Sequence, residues 1–572
     1  MTISAPWLNS YGDVPHSLDY PNISMAKMVF KTAEKFPKIT AYDFFGCKQN
    51  YKTFADEIKQ CAKGLLISGI KKADRLTICM PNTPQAVIVF YALNLIGAVA
   101  NMVHPLSAEE ELVGYINDSN SVAVLTLDQF YPKLKAIMPR TKATLLILAG
   151  ADDGLKGIKK LLYRVTKGRK IKRNRSEGNI LRYKNLMECG LRYIGEYDAK
   201  MSGNDVAAIL YSGGTSGTTK GILLTNLNFN ALAMQTIAAG DCVVPSHKML
   251  AVMPVFHGFG LGVCLHTAFA AGGTALLIPQ FSLASYVKLL QNQKPHYIAG
   301  VPTLFEAMLR HPDISKIDMS QMEGIFSGGD SLSIELKRKV DSLLKSCGST
   351  EQVREGYGLT ECVTASCLTP RRFHKEGSIG IPYPDMFYKI VKQNTQETVP
   401  YGNEGEIVIS GPTVMRGYDR NDEETAKTLQ THDDGKIWLH TGDLGAMDED
   451  GFIYFRQRIK RMIVSSGYSI YPTQLENAIE SHKDVLISCV IGIPDDYKMQ
   501  KIKAFITLRD NKEATNEIKA SIYEHCKKNI AKYALPAEFE YRKELPRTLV
   551  GKVAYLELEK EEADRKNGQT MV

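Results

Sequence analysis

Residues 211–221 read YSGGTSGTTKG, the most informative stretch of the chain. They follow an apolar run typical of a buried strand and precede a helix predicted to start near Thr225 or Asn226. Small residues let the backbone approach a phosphate, hydroxyl groups donate hydrogen bonds to it, and Lys220 adds a positive charge. The loop is not the usual P-loop, because no Gly precedes Lys220 and Gly221 follows it in place of Ser or Thr. The stretch therefore predicts a phosphate-binding loop in an α/β fold.

The rest of the chain alternates short apolar runs with helix-length segments, which predicts an α/β architecture with largely parallel sheets. After about residue 400 the pattern changes, and residues 406–410 alternate like a half-buried strand. Beyond Arg458 a smaller α+β unit is predicted, with a charged helix around Asn516–Asn529 and a charged tail from Glu559 that we expect to fray. The predicted strands lie at 76–80, 207–211, 249–253, 274–278, 452–455, 485–492 and 504–508.

Length and composition restrict the class of protein. A chain of 572 residues is too long for one ordinary core, so two or more domains are expected. The eleven cysteines include no Cys-x-x-Cys spacing, which argues against a disulfide scaffold or a zinc site and fits a reducing cytosol. The start of the chain lacks the pattern of a secretory signal. Two charge-free stretches, 76–105 and 249–287, are broken by Pro, Asn and Gly, and buried α/β units explain them better than membrane spans.

A basic segment interrupts the first half of the chain. Ten Lys or Arg residues and no acidic residue lie between Lys156 and Arg175. One interpretation is a solvated surface. The other is a basic face that contacts anionic lipid, with Leu161, Leu162, Tyr163 and Val165 as its apolar side. Nucleic acid is disfavoured as a partner, because the basic residues are not interleaved with aromatic residues that could stack on bases.

A second informative run, GYGLTE, occupies residues 356–361. ATP is strongly anionic, and a hard cation that accompanies it needs an oxygen ligand such as Glu361. Together the two runs resemble the core motifs of the adenylate-forming superfamily, which holds acyl-CoA synthetases, luciferases and peptide-synthetase adenylation domains. The chain departs from the usual loop at Gly213, Ser216 and Thr219, where the family has Ser, Thr and Pro. The glycines and Lys220 remain.

This resemblance implies an architecture. It predicts a large N-terminal domain of stacked α/β subdomains plus a β-barrel-like subdomain, followed by a small mobile α+β C-terminal domain. We place the N-terminal adenylation domain at 1–458 and the C-terminal lid domain at 459–572. Further runs match the family in order and spacing: SGGD at 327–330, WLHTGD at 438–443 and PRTLVGK at 546–552.

The resemblance also assigns roles to residues of these motifs. Lys552 would reach the reacting carboxylate and the α-phosphate, Glu361 would hold Mg²⁺, and Lys460 would be the hinge. Gly467 would let the pantetheine arm of CoA pass, since a side chain there would obstruct it. Gln457 departs from the Asp or Gly that usually precedes the family's ribose-contacting Arg. The remaining nucleotide-site residues are Thr215, Ser216, Gly217, Thr218, Thr219 and Lys220 for phosphate, Thr360 for the phosphates, Gly328, Gly329, Tyr357 and Gly358 for adenine, and Asp443 and Arg458 for ribose.

The implied reaction has two halves. A carboxylate first attacks Mg-ATP to give acyl-AMP and pyrophosphate, and the thiol of CoA then takes the acyl group and releases AMP. The run VFHGFG at 255–260 matches the segment that lines the acyl pocket, where His257 would shape the carboxylate end or serve only as a structural histidine. No acidic residue lies between Asp241 and Glu306, which argues against an amino acid substrate. The apolar surroundings suit an alkyl or aryl chain.

The substrate class and the acceptor stay open at this point. In look the chain is closest to bacterial medium- or long-chain fatty acyl-CoA synthetases, while aryl acids and bile acids are alternatives. A fatty acyl-AMP ligase that loads a carrier protein, or a luciferase-like oxidase, would keep the fold. Retention of Glu361, Asp443 and Lys552 disfavours a non-catalytic sensor. The expected partners are a carboxylic acid, ATP, Mg²⁺ and CoA, without nucleic acid, in a cytoplasmic protein that could contact the inner face of the membrane through Lys156–Arg175.

Overall fold

A computed structural model describes residues 4–171, 176, 178–211, 219–240, 244–465, 468–495, 499–509, 512–548 and 551–569. The first part of the chain alternates strands and helices, as the sequence predicts. Its elements are α1 (Met25–Lys35), β1 (Thr40–Phe44), β2 (Cys47–Asn50), α2 (Tyr51–Ile67), β3 (Arg75–Cys79), α3 (Pro84–Ile96), β4 (Val99–Val103), α4 (Glu109–Asp118), β5 (Ala123–Leu127), α5 (Tyr131–Ile137), β6 (Leu145–Ala149), α6 (Gly157–Val165), β7 (Ile180–Arg182), α7 (Tyr183–Gly190) and β8 (Val206–Tyr211).

The middle of the chain continues this alternation. Its elements are β9 (Gly221–Thr225), α8 (Asn226–Gly240), β10 (Lys248–Ala251), α9 (Thr267–Ala271), β11 (Thr274–Leu277), α10 (Leu283–Gln293), β12 (Tyr297–Gly300), α11 (Pro302–Leu309), β13 (Gly324–Ser327), α12 (Ile334–Ser346), β14 (Val353–Tyr357), β15 (Cys367–Leu368) and β16 (Ile381–Pro382). An additional π-helical segment, Phe259–His266, precedes α9.

The last third is richer in antiparallel strands. A first group comprises β17 (Phe387–Val391), β18 (Gly405–Ser410), β19 (Gly417–Tyr418), α13 (Asp422–Thr428), β20 (Leu429–Thr431), β21 (Ile437–Met447) and β22 (Ile453–Arg458). A second group comprises β23 (Ile463–Ser465), β24 (Tyr468–Ile470), α14 (Pro472–Glu480), β25 (Val485–Asp495), β26 (Met499–Leu508), α15 (Asn516–Asn529), β27 (Glu538–Tyr541) and α16 (Tyr555–Gln569).

Four sheets organise these elements. Sheet 1 has the order β19-β9-β8-β4-β3-β5-β6-β7, and sheet 2 has the order β16-β15-β14-β13-β12-β10-β11-β1-β2. Sheet 3 joins β17, β18, β21 and β20, with β22 beside β21. Sheet 4 joins β24, β23, β26 and β25, with β27 beside β26. Six consecutive strands of sheet 2, from β14 to β1, are parallel, so their carboxyl ends lie at one edge. The predicted mixture of α/β, β-rich and small α+β units is confirmed.

Helix α3 explains the first charge-free stretch. All thirteen of its residues are buried, its N-terminus is capped by Thr83 with Pro84 in the first turn, and it ends at Gly97 with φ +77°. It connects the parallel neighbours β3 and β4, as a crossover helix does. Among the described helices, none combines the length and the apolar composition that crossing a bilayer would require.

Strand β9, which lies between the glycine-rich loop and α8, was not predicted, although the helix starts at Asn226 as predicted. Two expectations about local structure are wrong. Strand β18 is buried at all six positions and does not alternate, because the strand has no solvent-facing side. The charged tail does not fray at Glu559, since α16 runs from Tyr555 to Gln569 and its Glu562 pairs with Lys503 at 2.9 Å.

The apolar cores divide along the chain. The largest cluster of buried residues extends from Trp7 to Ile453. Two smaller clusters lie entirely within 463–558, and among the described residues they share no member with the large cluster. Polar groups contribute contacts between the two parts, as described below.

Candidate active site

The loops that follow β13 and β14 bring several predicted residues together. Gly328 and Gly329 come directly after β13, and Tyr357 is the last residue of the adjacent β14. Gly329 has φ +83°, and a Cβ atom at Gly328 would lie 3.2 Å from the carbonyl oxygen of Gly356. A Cβ atom at Gly358 would lie 2.6 Å from the backbone of Thr364. These glycines allow the loops to approach one another so closely that side chains could not be inserted without movement.

The predicted ribose reader meets the predicted adenine platform. The Tyr357 hydroxyl donates a 2.7 Å hydrogen bond to Oδ2 of Asp443. Arg458 lies opposite Asp443 in the β21–β22 pair, with its Nε 3.4 Å from Oδ1. That Oδ1 is buried and has no hydrogen-bond partner among the described residues. Burial raises the pKa of the Asp443 carboxyl, which the charge of Arg458 opposes. A buried carboxylate oxygen without a partner is suited to accept a ligand hydroxyl group.

The phosphate side of the site is arranged around Lys220. Its ammonium group forms an ion pair with Glu424 of α13 and lies 4.9 Å from the centre of the Tyr418 ring. The Tyr418 hydroxyl donates a 3.0 Å hydrogen bond to Oε1 of Glu361. Thr360 is buried beside Glu361 in a short turn. A cation and a carboxylate, linked through one tyrosine, thus lie at the same edge of the site.

Several predicted residues either lie outside the described part of the chain or make none of the contacts described above. Thr215, Ser216, Gly217, Thr218 and Gly467 lie outside the described residues. Thr219 is described and hydrogen-bonds the hydroxyl of Tyr115. Lys460 is exposed in the turn Ile459–Arg461, directly after β22.

Lys552 enters the site from the C-terminal part of the chain. The backbone N–H of Thr548 donates to the Lys552 carbonyl at 2.7 Å, and the Lys552 N–H donates to the Thr548 hydroxyl at 3.1 Å. Its Cε would lie 3.7 Å from a Cβ atom at Gly329, so the side chain covers the loop after β13. Burial lowers the pKa of Lys552, while the nearby Asp330 raises it. Partial loss of water around the ammonium group strengthens its interaction with an anion that approaches.

His257 lies near Lys552 on the acyl side. Burial and the charge of Lys552 lower the pKa of His257 to about 3, so its ring is neutral at physiological pH. Its Nδ1 accepts the backbone N–H of Phe259 at 3.2 Å, which leaves the ring proton on Nε2. The neighbouring backbone is tightly packed, since a Cβ atom at Gly260 would lie 2.1 Å from the Pro254 carbonyl oxygen. His257 can therefore donate one hydrogen bond but cannot act as a cation.

Sequence reasoning missed the contacts that hold the Lys552 loop in place. The carbonyl of Gly551 accepts a 2.8 Å hydrogen bond from the Thr303 hydroxyl. Arg547 donates a 3.2 Å hydrogen bond to Oε2 of Glu306, whose other oxygen pairs with Arg310. Glu306 is almost fully buried on α11. A buried glutamate in an apolar helix was the available signal, because such a residue needs a cationic partner.

Tyr418 and Glu424 were also missed. Tyr418 ends the run GPTVMRGY at 411–418 and Glu424 lies six residues further on. Neither belongs to a motif that the sequence analysis used, so their proximity to Lys220 and Glu361 depends on tertiary structure. Strand β19, which carries Tyr418, pairs antiparallel with β9 and thereby joins the phosphate side.

Comparisons with known proteins identify the class of this site. The model of the AMP-binding enzyme family matches residues 29–419, and that of the AMP-binding enzyme C-terminal domain matches residues 474–552. The chain belongs to the AMP-binding enzyme family. The resemblance stated from the sequence is confirmed, and with it the prediction of an AMP-forming enzyme.

Similar proteins narrow the comparison. The long-chain-fatty-acid–CoA ligase of Bacillus subtilis (strain 168) is 33% identical over 577 residues, which cover 99% of both chains. That of Yersinia pestis is 30% identical over 565 residues, which cover 97% of this chain and 98% of that protein.

Solved structures show the same fold. The anthranilate CoA ligase AuaEII in complex with anthranoyl-AMP superposes with a TM-score of 0.82 at 22% identity, covering 96% of this chain and 98% of that chain. ATP-bound MatB from Rhodopseudomonas palustris gives 0.81 at 23% identity, covering 94% and 99%.

Proposed function

We propose that this chain is a fatty acyl-CoA synthetase. It joins a medium- or long-chain fatty acid to AMP at the expense of ATP, and then transfers the acyl group to CoA. The observation that carries the proposal is the meeting of Lys552 with the loops that hold Gly329, Tyr357 and Asp443, because this arrangement surrounds a nucleotide with the groups that acyl-AMP formation requires. The long-chain-fatty-acid–CoA ligases with which the chain shares up to 33% identity support the substrate class.

The nucleotide is held by residues of both halves of the site. Tyr357 packs on adenine between the loops of Gly328, Gly329 and Gly358. Oδ1 of Asp443, which accepts no hydrogen bond from the described residues, accepts one from a ribose hydroxyl. The charge of Arg458 opposes the rise in the pKa of the Asp443 carboxyl that burial causes. Residues Thr215–Thr218, Thr219 and Lys220 bind the phosphates together with Thr360. Lys220 exchanges its ion pair with Glu424 for a phosphate when ATP binds.

Glu361 is the proposed ligand of Mg²⁺. Its carboxylate oxygen faces the Tyr418 hydroxyl on the side of Lys220, so an oxygen donor of the kind that Mg²⁺ prefers is available beside the phosphate groups. Bound Mg²⁺ would neutralise charge on the phosphates. Tyr418 orients the Glu361 carboxylate.

In the first half-reaction a carboxylate oxygen of the fatty acid bonds to the α-phosphorus, and the bond to pyrophosphate breaks. Lys552 draws the anionic carboxylate to the α-phosphate and stabilises the negative charge on the α-phosphate oxygens in the transition state, and its partial desolvation strengthens that effect. His257 remains neutral, and its Nε2–H group donates a hydrogen bond to a carboxylate oxygen of the fatty acid. The charge-free segment after β10 contacts the alkyl chain, since an apolar ligand needs an apolar wall.

In the second half-reaction the thiolate of CoA bonds to the acyl carbon, AMP leaves, and the thiol proton passes to solvent. We propose domains at 1–458 and 459–572, with a hinge at Lys460 and a pantetheine path past Gly467. Turning the C-terminal domain about this hinge withdraws Lys552. The division of the apolar cores and the location of Lys460 directly after β22 support this boundary.

We further propose that the enzyme is cytoplasmic and contacts the inner face of the membrane. The ten described cysteines are free, and nine of them are buried, as suits a reducing compartment. The proposed partners are therefore a fatty acid, Mg-ATP and CoA, with the membrane as a surface.

The test is release of AMP from Mg-ATP across acids from acetate to palmitate, with benzoate, coumarate and cholate, each with and without CoA. We expect CoA-dependent turnover that peaks on alkyl acids. A peak on a ring acid would replace the substrate class. Acyl-AMP that accumulates equally with and without CoA would replace CoA by a carrier protein.

A further inference from the structure

Helix α6 turns its apolar stripe away from the protein. Ile158, Leu161, Leu162 and Val165 follow the i, i+3, i+4, i+7 spacing of one helix face, yet each is between 54% and 72% exposed. A surface helix normally packs such a stripe on the core. The prediction that Tyr163 belongs to this apolar side is wrong, because Tyr163 lies on the opposite face of α6 and packs against the large apolar cluster. The stripe is therefore available to another apolar phase.

Positive charge surrounds this stripe. The stretch from Lys156 to Arg175 carries ten Lys or Arg residues and no acidic residue. Lys156, Lys159 and Arg169 are exposed, while Arg164 pairs with the buried Asp152 at 2.8 Å. An exposed apolar stripe flanked by cations is typical of helices that lie in the interface of an anionic bilayer.

A second element exposes an aromatic ring beside α6. Phe45 and Gly46 form the turn between β1 and β2, with φ +52° and +75°. The Phe45 side chain is 59% exposed. A positive φ is unusual for a residue as bulky as phenylalanine. The ammonium group of Lys159 donates a 2.8 Å hydrogen bond to the Phe45 carbonyl oxygen and thereby joins the turn to α6.

We propose that Phe45 and the exposed stripe of α6 form a surface that docks the protein on an anionic lipid bilayer. This docking surface consists of Phe45, Ile158, Leu161, Leu162, Val165 and the exposed basic residues Lys156, Lys159 and Arg169. A second copy of the chain fits it less well, because a symmetric dimer would place the same basic segment against itself. Nucleic acid would leave the apolar stripe in water.

The docking surface lies at the same edge of the molecule as residues 255–260, the predicted acyl-pocket segment, which is called the acyl segment below. Strand β1 is parallel to β11 and β11 to β10, so the end of β1 at Phe44 and the end of β10 at Ala251 share one edge, two strand spacings or about 10 Å apart.

Packed residues connect the two sites. A Cβ atom at Gly154, just before α6, would lie 3.1 Å from both Phe44 and Pro84. Asn82, two residues before Pro84, donates to the Met253 carbonyl at 2.8 Å and accepts the Val255 N–H at 2.7 Å. Resting on the proposed function, this proximity brings a fatty acid held in the bilayer close to the acyl segment, residues 255–260.

The test uses the whole chain and lipid vesicles of phosphatidylcholine with or without about one third phosphatidylglycerol. Replacing Leu161 and Leu162 together with Glu should lower the partition coefficient on anionic vesicles by at least about tenfold. Phe45→Asn should lower it less, and Asn suits the positive φ of the turn. Ile194→Glu is the matched control, because Ile194 is fully exposed outside the docking surface. Binding should weaken as salt is added.

Three outcomes would overturn the proposal. The first is wild-type protein that binds anionic vesicles no better than neutral ones. The second is unchanged binding by the Leu161/Leu162 variant with an unchanged unfolding temperature. The third is a dimer, seen by light scattering, that this variant dissociates.

Activity separates this proposal from the proposed function. The Leu161/Leu162 variant should keep the wild-type rate on octanoate dissolved in water and lose rate on oleate supplied in vesicles. If the variant kept the wild-type rate on both octanoate in water and oleate in vesicles, docking would have no role in the entry of the fatty acid. Wild-type protein that activates no fatty acid in either form would refute the proposed function, whereas vesicle binding would still stand or fall by itself.

Discussion

Replacing Arg547 with Met should slow the formation of acyl-AMP and spare the transfer of the acyl group to CoA. Arg547 reaches from the C-terminal part to Glu306 on α11, five residues before Lys552 in the chain. Without this hydrogen bond the Lys552 loop loses one of the two contacts described above that hold it against the N-terminal part. Glu306 keeps its partner Arg310, so the variant does not leave a buried charge unpaired.

The size of the effect follows from the geometry. The guanidinium nitrogen of Arg547 and Oε2 of Glu306 are 3.2 Å apart. The Glu306 side chain is 2% exposed and that of Arg547 is 35% exposed. Hydrogen bonds to charged groups contribute about 1.5–3 kcal/mol, and exposed ion pairs about 0.2–1 kcal/mol. A pair with one open partner should stabilise the docked state by about 1–2 kcal/mol, which corresponds to about 5- to 30-fold in rate if docking precedes adenylation.

The assay measures each half-reaction alone. Pyrophosphate release without CoA reports adenylation, and thioester formation from supplied acyl-AMP reports transfer. Arg565→Met is the matched control, because Arg565 pairs with Glu540 at 2.9 Å and with Glu562 at 2.7 Å inside the C-terminal part. An equal fall in both half-reactions, or no fall in adenylation, would refute the role of the Arg547–Glu306 contact.

Two further changes test the site, and a third tests the carboxyl group of Glu480 at the end of α14. Lys552→Ala should slow acyl-AMP formation about 10²- to 10³-fold, seen as pyrophosphate release, and leave transfer from supplied acyl-AMP intact, because a charge-stabilising group is lost only from the first step. Glu424→Gln should tighten ATP binding about two- to fivefold by calorimetry, since Lys220 no longer has to leave an ion pair. Burial raises the pKa of Glu480 from 4.5 to about 7. Between these pH values the folded state binds a proton on Glu480 that the unfolded state has lost. The contribution of Glu480 to the free energy of unfolding is therefore fully present below pH 4.5 and is lost as the pH rises to 7. Glu480→Gln should flatten this dependence of the unfolding temperature.

The opposite results would be informative. Equal loss of both half-reactions would remove the proposed role of Lys552. Weaker ATP binding by the Glu424 variant would mean that Glu424 helps to hold the nucleotide. A pH dependence that persists in the Glu480 variant would assign it to another group.

Local signals predicted much of the fold. Helix α15 occupies Asn516–Asn529 as expected, because Thr515 caps its first turn and the spacing of its apolar residues is helical. Strand β9 was missed because its five residues return antiparallel to β8 from a loop that resembles a strand-to-helix connection. The tail was judged by charge alone, whereas Lys503 from a distant strand neutralises Glu562 of α16.

The candidate site divides in the same way. Motifs identified residues such as Asp443 and Lys552 because the chemistry of a nucleotide requires particular groups within short runs. The Arg547–Glu306 contact joins residues 241 positions apart, and no local pattern specifies such a pair. The roles of the motif residues themselves remain predictions until the variants above are measured.

The separation of the apolar cores has a consequence for the speed of the catalytic cycle. The contacts between the two parts include a guanidinium–carboxylate pair and the hydrogen bond from Thr303 to Gly551. When these two contacts open, water replaces their polar partners. In the proposed movement of the C-terminal part, dissolved salt weakens the open charge pair between Arg547 and Glu306. The rate of turnover should therefore depend on the ionic strength of the solution.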